Sequence, residues 1–242
     1  MHYLKWVTVV LLGLLTGIAA AQQTLTINTG DAPPLHTVQQ TGFIDRVLKA
    51  AFQRLDIHVT ILEVPAERSL INANAGIADG DSDRIAGLEK IYPNLLRVPE
   101  KIMDWNFVAF SKEISFQTND WDSLQPYSVS FIRGWKIFEH NVVNAAVITP
   151  VKNVQQLFTL LMKNRADVAL YDQWQGLAYI KQNRLNNIKL LTPVIVTKEK
   201  YLYLHKKHQH LVLKIALALK EIKADGTYQS LYQLKLAPLT SN

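Results

Sequence analysis

Arg84 closes the stretch NAGIADGDSDR, residues 74–84, and Asp172 closes RADVALYD, residues 165–172. A guanidinium presents a planar fork that matches a carboxylate with two parallel hydrogen bonds. A carboxylate at a strand end offers several acceptor sites to a cation. Together the two residue types suit the capture of a small charged solute. Arg68, in PAERSL, is a rival carboxylate binder, because it falls in the first turns of a predicted helix whose spare N–H groups favour anions. Each of the three also has a plainer role. Arg84 pairs at the surface with Asp81 or Asp83, Arg68 is an exposed helical residue near Glu63 or Glu67, and Asp172 caps the helix after it. Asp31 and Asp81 are further carboxylates of the same neighbourhood. Trp105, Trp135, Trp174 and Tyr171 lie near predicted strand ends, where an aromatic face either walls a pocket and stacks on a cation or packs in the core. His36 follows PPL in a loop that should border the cleft, where it either touches a ligand or, on the plainer reading, is solvated.

A nucleophile with its base is not apparent. The chain has no cysteine, no G-x-S-x-G and no H-E-x-x-H. Asp79, Asp81 and Asp83 alternate along what reads as a turn, which does not make an acid–base pair. His205 and His208 in HKKHQH have a spacing that suits a metal on a helix, yet no acidic residue stands beside them in the sequence. Neither a metal nor a cofactor is expected.

Two runs of alternating strands and helices would position these residues. The first predicts strands over 24–28, 57–64 and 77–79, with helices over 42–55 and 66–75. Ile44, Val47, Leu48, Ala51, Phe52 and Leu55 form the apolar stripe of the longer helix. The second predicts strands over 127–133, 145–149, 166–171 and 187–191, with helices over 134–140, 153–164 and 172–182. Such alternation argues for βαβ units and largely parallel sheets, hence two α/β lobes. The segments 104–113 and 200–207 read as extended crossings between the lobes. After them come two helices broken around Gly226, and the stripe Leu211, Ile215, Ala218, Leu219 and Ile222 should dock on the first lobe. Ligands of open α/β sheets sit beyond the carboxyl ends of the strands, so Asp79, Asp81, Arg84 and Asp172 are expected to face one crevice.

Composition narrows the setting. The formal net charge is +6 over 242 residues, with no Lys/Arg run interleaved with aromatics, which speaks against nucleic acid. Residues 1–21 read as a secretory signal peptide, with Lys5, a short apolar run, and Ala19 and Ala21 before a cut at Gln22. With no cysteine, an exported chain has neither a disulfide framework nor a lipid anchor on an N-terminal Cys. A periplasmic protein of a Gram-negative cell is the expected setting.

The PPL loop followed by GFIDRVLKAAFQRL, then NAGIADGDSDR, YSVSFIRGW, RADVALYD and ALALKEIKADGTYQSLY, taken in this order, resemble the periplasmic solute-binding proteins of the amino-acid type. This is extracellular solute-binding protein family 3, the substrate-binding component of ABC transporters, and the resemblance covers nearly all the mature chain. It implies a type II periplasmic-binding-protein fold: two three-layer lobes with mixed sheets joined by two hinge crossings. Residues 22–107 and 204–242 would form lobe 1, and residues 108–203 lobe 2. It further implies that Asp172 resembles the aspartate that takes a ligand's α-ammonium, with Arg84 the counterpart of the arginine that takes its α-carboxylate. The implied partners are a small-molecule ligand and an inner-membrane ABC permease or receptor, served by a monomer without enzymatic activity. Two other readings stay open: a dehydratase-like enzyme on the same scaffold, with Asp31, Glu67 or Asp81 as its acid, and a sensory protein that does not transport.

Overall fold

The computed structural model describes residues 23–240; the predicted signal segment lies outside them. The chain opens with β1 (Thr24–Thr29), α1 (Phe43–Gln53), β2 (His58–Glu63) and α2 (Ala66–Asn74), followed by β3 (Gly80–Arg84) and the short β4 (Leu95–Arg97). Strands β2 and β3 run parallel to β1 on either side of it. The predicted stripe of α1 is buried against this sheet from Ile44 to Phe52, with Leu55 packed at its margin. Gly42 precedes α1 where a Cβ would collide with the Leu35 carbonyl, so the loop over 30–41 folds tightly back on the helix start. Asp45 accepts hydrogen bonds from the Gly42 and Thr37 amides at 2.8 and 3.0 Å and so fixes that entry.

The long β5 (Met103–Ser111) leads into the second run: β6 (Ser128–Ile132), α3 (Lys136–Asn141), β7 (Val147–Val151), α4 (Val154–Met162), β8 (Val168–Asp172), α5 (Gln173–Gln182) and β9 (Lys189–Leu190). Asn153 and Asp172 cap α4 and α5 by accepting the Gln156 and Gln175 amides. β6 lies parallel to β7 and β8, and β5 lies antiparallel to β8.

Two sheets thus form a two-lobed α/β fold, and β10 (Val196–His205) belongs to both. Its first half, Val196–Lys200, pairs with β5; its second half pairs with β3 and β4. The segment entering β5 runs beside it, with Ile102 N–H donating to Lys200 O at 2.7 Å and Val98 N–H to Leu202 O at 2.9 Å. α6 (Gln209–Ala224) and α7 (Thr227–Lys235) follow. They break at Gly226, whose φ of 84° is left-handed. Leu211, Ile215, Ala218, Leu219 and Ile222 are buried in the core that α1 lines, as their spacing predicts.

Most elements lie within a few residues of their predicted bounds; the short β4 was not predicted, and β3 is displaced. The strand expected over 77–79 lies at Gly80–Arg84, GDSDR, a sequence of residues that strands disfavour. It holds because β1 and β10 pair with it from both sides. Asp79 therefore precedes the strand, at the end remote from the carboxyl termini. It accepts hydrogen bonds from the Thr26 amide at 2.8 Å and from Lys207 and His208 at 2.7 Å each. The crevice position expected for Asp79 is thereby corrected.

Candidate functional site

The carboxyl ends of β1, β3 and β8 converge where β10 passes between the sheets. The register of β10 against β3 slips here: Tyr203 opposes Asp81 and Tyr201 opposes Arg84, so Ser82 and Asp83 together face one residue. This is a β-bulge, and Asp83 takes the left-handed φ of 67° within it. The bulge breaks the period-2 alternation, so that Asp81 and Asp83 find different partners. Asp81 accepts from Arg84 Nε at 2.7 Å, Arg84 Nη2 at 3.1 Å and Ser69 Oγ at 2.6 Å. Asp83 accepts from His36 Nε2, from Thr29 Oγ1 at 3.0 Å and from Ser82 Oγ at 3.1 Å.

His36 is buried, not solvated as its loop suggested. It donates from Nδ1 to Asp45 Oδ1 at 2.5 Å and from Nε2 to Asp83. Burial alone would lower its pKa; the Asp83 charge, then the hydrogen bonds to Asp45 and Asp83, raise it to about 10. The imidazolium is thus a fixed cation. Burial would likewise raise Asp83, but the His36 charge, then Lys200, hold it well below the usual carboxylate range. Asp81 has no such surplus, and burial pushes it up to about 6 against the pull of Arg84.

Lys200 is the residue that sequence reasoning passed over. Its side chain is fully buried, pairs with Asp31 Oδ2 and lies 4.2 Å over the Trp105 ring. Burial disfavours its charge, but Asp31, then Asp83 and Asp172, raise its pKa, so it stays an ammonium. A signal was present: Lys200, Leu202 and Leu204 alternate along one strand, and both leucines are core residues. That period places a lysine on an inward face.

From the second sheet comes Asp172, with no exposed surface. Its Oδ1 accepts the Gln175 amide at 2.7 Å, while its Oδ2 is buried without a partner. Trp105 Nε1 has no partner at hydrogen-bond distance either, yet it is near enough to pull the Asp172 pKa down as a hydrogen-bond donor does. Burial pushes Asp172 up to about 6, opposed by Lys200. Tyr171 donates its hydroxyl to Gln175 Oε1 at 2.7 Å, and Gln175 Nε2 stands 3.5 Å from Asp31 Oδ1 across the sheets. The Trp135 ring lies 4.9 Å from that of Tyr171 and 5.9 Å from that of Trp105.

Of the residues singled out in the sequence, Asp31, Asp81, Arg84, Trp105, Trp135, Tyr171 and Asp172 fall in this neighbourhood. Arg84 commits Nε and Nη2 to Asp81, and Nη2 also to the Ala66 carbonyl at 3.1 Å, so its fork faces its own chain. Arg68 is exposed on α2. Trp174 is core: it packs at 5.7 Å on Tyr232 of α7. His36, Asp83, Lys200 and Gln175 complete the cluster; the sequence placed His36 beside the cleft and Asp83 beside Arg84, while Lys200 and Gln175 were not foreseen. The arrangement is a buried ionic ladder with aromatic walls, able to hold a polar solute through charge-assisted hydrogen bonds.

No protein-family model matches the sequence. An uncharacterized protein of Shewanella oneidensis is 24% identical over 177 residues, which is 69% of this chain and 65% of that protein's length. Among solved structures, the L-cystine solute receptor of Neisseria gonorrhoeae, in its unliganded open conformation, aligns with a TM-score of 0.68 at 22% identity, covering 89% of this chain and 94% of that one. The GluR0 ligand-binding core in complex with L-glutamate aligns at 0.75 and 12% identity, over 90% of this chain and all of that one. A histidine kinase sensor domain with similarity to periplasmic binding proteins aligns at 0.70 and 15% identity, over 89% and 97%. The fold common to these proteins is the two-lobed one described above.

Proposed function

We propose that this protein captures a small nitrogenous solute, an amino acid or a close relative, by closing its two lobes about β10. It would work as a periplasmic monomer and present the closed form to an inner-membrane ABC permease or receptor. One observation carries the reading: Asp172 brings a buried carboxylate oxygen with no protein partner to the junction between the sheets. A buried carboxylate oxygen without a donor is unfavourable, and Lys200 offsets the burial of Asp172 only in part. Proteins of this fold named above bind cystine and glutamate, which supports an amino-acid-like solute. In open α/β sheets the carboxyl ends of the strands are also where ligands sit. The hinge would lie where residues 98–102 run beside Lys200–Leu202, and closure of this kind is a known switching mode.

The test is native mass spectrometry of the mature chain as purified, followed by thermal unfolding with a panel of amino acids and their relatives. A retained solute and a rise in Tm with one chemical group of the panel are expected. Asp172→Ala should abolish that rise while leaving the circular dichroism spectrum unchanged. A full rise in the variant removes Asp172 from the site, and no retained solute together with no rise for any compound defeats the reading.

A further inference from the structure

We propose that the solute is a small organic dication, an alkyl diamine or guanidinoalkylamine, gripped by Asp172 and Asp83 beside the Trp105 face, with no clamp for a carboxylate. The inference rests on the capture reading above and sharpens its substrate class. Charge is the first support. Five carboxylates, those of Asp31, Asp45, Asp81, Asp83 and Asp172, converge on three cations, His36, Arg84 and Lys200. With every carboxylate ionised the cluster is short of two positive charges, and burial answers that shortage by raising the pKa of Asp31, Asp81 and Asp172 toward the neutral form. Buried ions without compensation are unfavourable, so the missing charges define what the cleft wants.

Atoms left without partners tell the same story. Asp172 Oδ2, from the second sheet, and Asp83 Oδ1, from the first, are buried acceptors with no donor at hydrogen-bond distance, although Trp105 Nε1 near Asp172 is itself an unpartnered donor. Both carboxylates act on the ammonium of Lys200, which stands on the strand that the two sheets share. The chain itself shows what this neighbourhood prefers, because Lys200 has placed an ammonium on Asp31 and on the Trp105 ring. A second ammonium would find the same chemistry: carboxylate oxygens and the indole and phenol faces of Trp105, Trp135 and Tyr171.

A carboxylate on the solute has no comparable berth. The residue able to offer a bidentate fork, Arg84, already gives Nε and Nη2 to Asp81. Lys200 gives its charge to three surrounding aspartates. An incoming carboxylate would add a negative charge to a cluster already rich in them. A decarboxylated amine avoids that repulsion and keeps every favourable contact.

Matched pairs that differ only in the carboxylate decide the matter. The mature chain is titrated calorimetrically with 1,5-diaminopentane against lysine, and with 4-aminobutylguanidine against arginine. At least one carboxylate-free member should bind tenfold or more tightly than its amino-acid partner, and Asp172→Asn should weaken it by about tenfold with the fold retained. A lysine or arginine that binds as tightly as its decarboxylated partner overturns the proposal. So does native mass spectrometry that finds a carboxylate-bearing solute retained while neither amine binds; in that case the capture reading stands. If the folded chain binds nothing and retains nothing, both readings fall.

Discussion

The two sheets meet at one ionic cluster but contribute to it in opposite ways. From the first sheet, Asp81 has Arg84 and Ser69, while Asp83 and Asp45 share His36. Asp31, beyond β1, has Lys200 from the shared strand. From the second sheet, Asp172 has a backbone amide on one oxygen and nothing on the other. Asp83 and Asp172 are both fully enclosed, yet cations hold Asp83 strongly acidic whereas Asp172 is pushed up to about 6. The first sheet therefore arrives with its charges largely paired. Each sheet brings one oxygen without a partner, Asp83 Oδ1 and Asp172 Oδ2, but the second brings it on a carboxylate that its neighbours leave less acidic, together with the aromatic walls. Preorganising one half and leaving the other wanting concentrates the gain from binding in the act of closure.

The largest effect is expected at the residue both halves share. Lys200→Met keeps the length of the side chain and removes its charge, leaving Asp31 unpaired beside Asp83 and Asp172. Loss of one partner from a buried pair costs about 3 kcal/mol or more, to be read from urea unfolding at pH 7. An unchanged midpoint would mean that the ammonium is not what holds the halves together.

His36 comes next, and it locates the effect in the first sheet. Its folded pKa, about 10, lies above its ordinary value of 6.5, so the folded state holds the extra proton. The stability this supplies is complete below pH 6.5 and is lost as pH rises toward 10. Stability of the wild type should fall across that window. His36→Gln should be less stable at neutral pH and should show no such fall. Asp83→Asn should lower stability by about 2 kcal/mol at pH 7, since it replaces a carboxylate that the fold prefers ionised and weakens the charge-assisted bonds from His36.

Much of this architecture is legible in the sequence, and the parts that are not share a cause. The stripe of α1, the cap at Asp172 and the break at Gly226 are local patterns, and local patterns survive into the structure. β3 is not local. GDSDR has no apolar residue to mark it, and it becomes a strand only because β1 and β10 sit on either side. The misplaced strand moved Asp79 into the crevice and hid the bulge that gives Asp83 to His36. His36 and Lys200 were obscured for a related reason. A charged side chain reads as surface until its partners are known, and those partners, Asp45 and Asp83 for one and Asp31 for the other, come from distant segments. Arg84 and Asp81, three residues apart, were visible as a pair, but not that the pair would be enclosed.

The smallest effect has the opposite sign, and it separates the two sheets most sharply. Asp172→Asn keeps an oxygen to cap α5 and removes the charge that burial disfavours. The folded pKa of Asp172 is raised to about 6 from 3.8, so the fold prefers the neutral carboxyl, which asparagine resembles. Below pH 3.8 both folded and unfolded wild type are protonated, and the variant should match it. Between pH 3.8 and 6 the unfolded carboxyl ionises first, so wild-type stability from this group declines while that of the variant does not. Above pH 6 the variant should hold a constant lead in unfolding free energy. Asp83→Asn, made to the same chemical recipe on the other sheet, should trail the wild type under the same conditions. Equal signs for the two variants would erase the distinction between a satisfied half and a waiting one. Opposite signs, with the Asp172→Asn variant more stable when empty yet weaker for solute, would identify Asp172 as a carboxylate kept for binding at the expense of the unliganded fold.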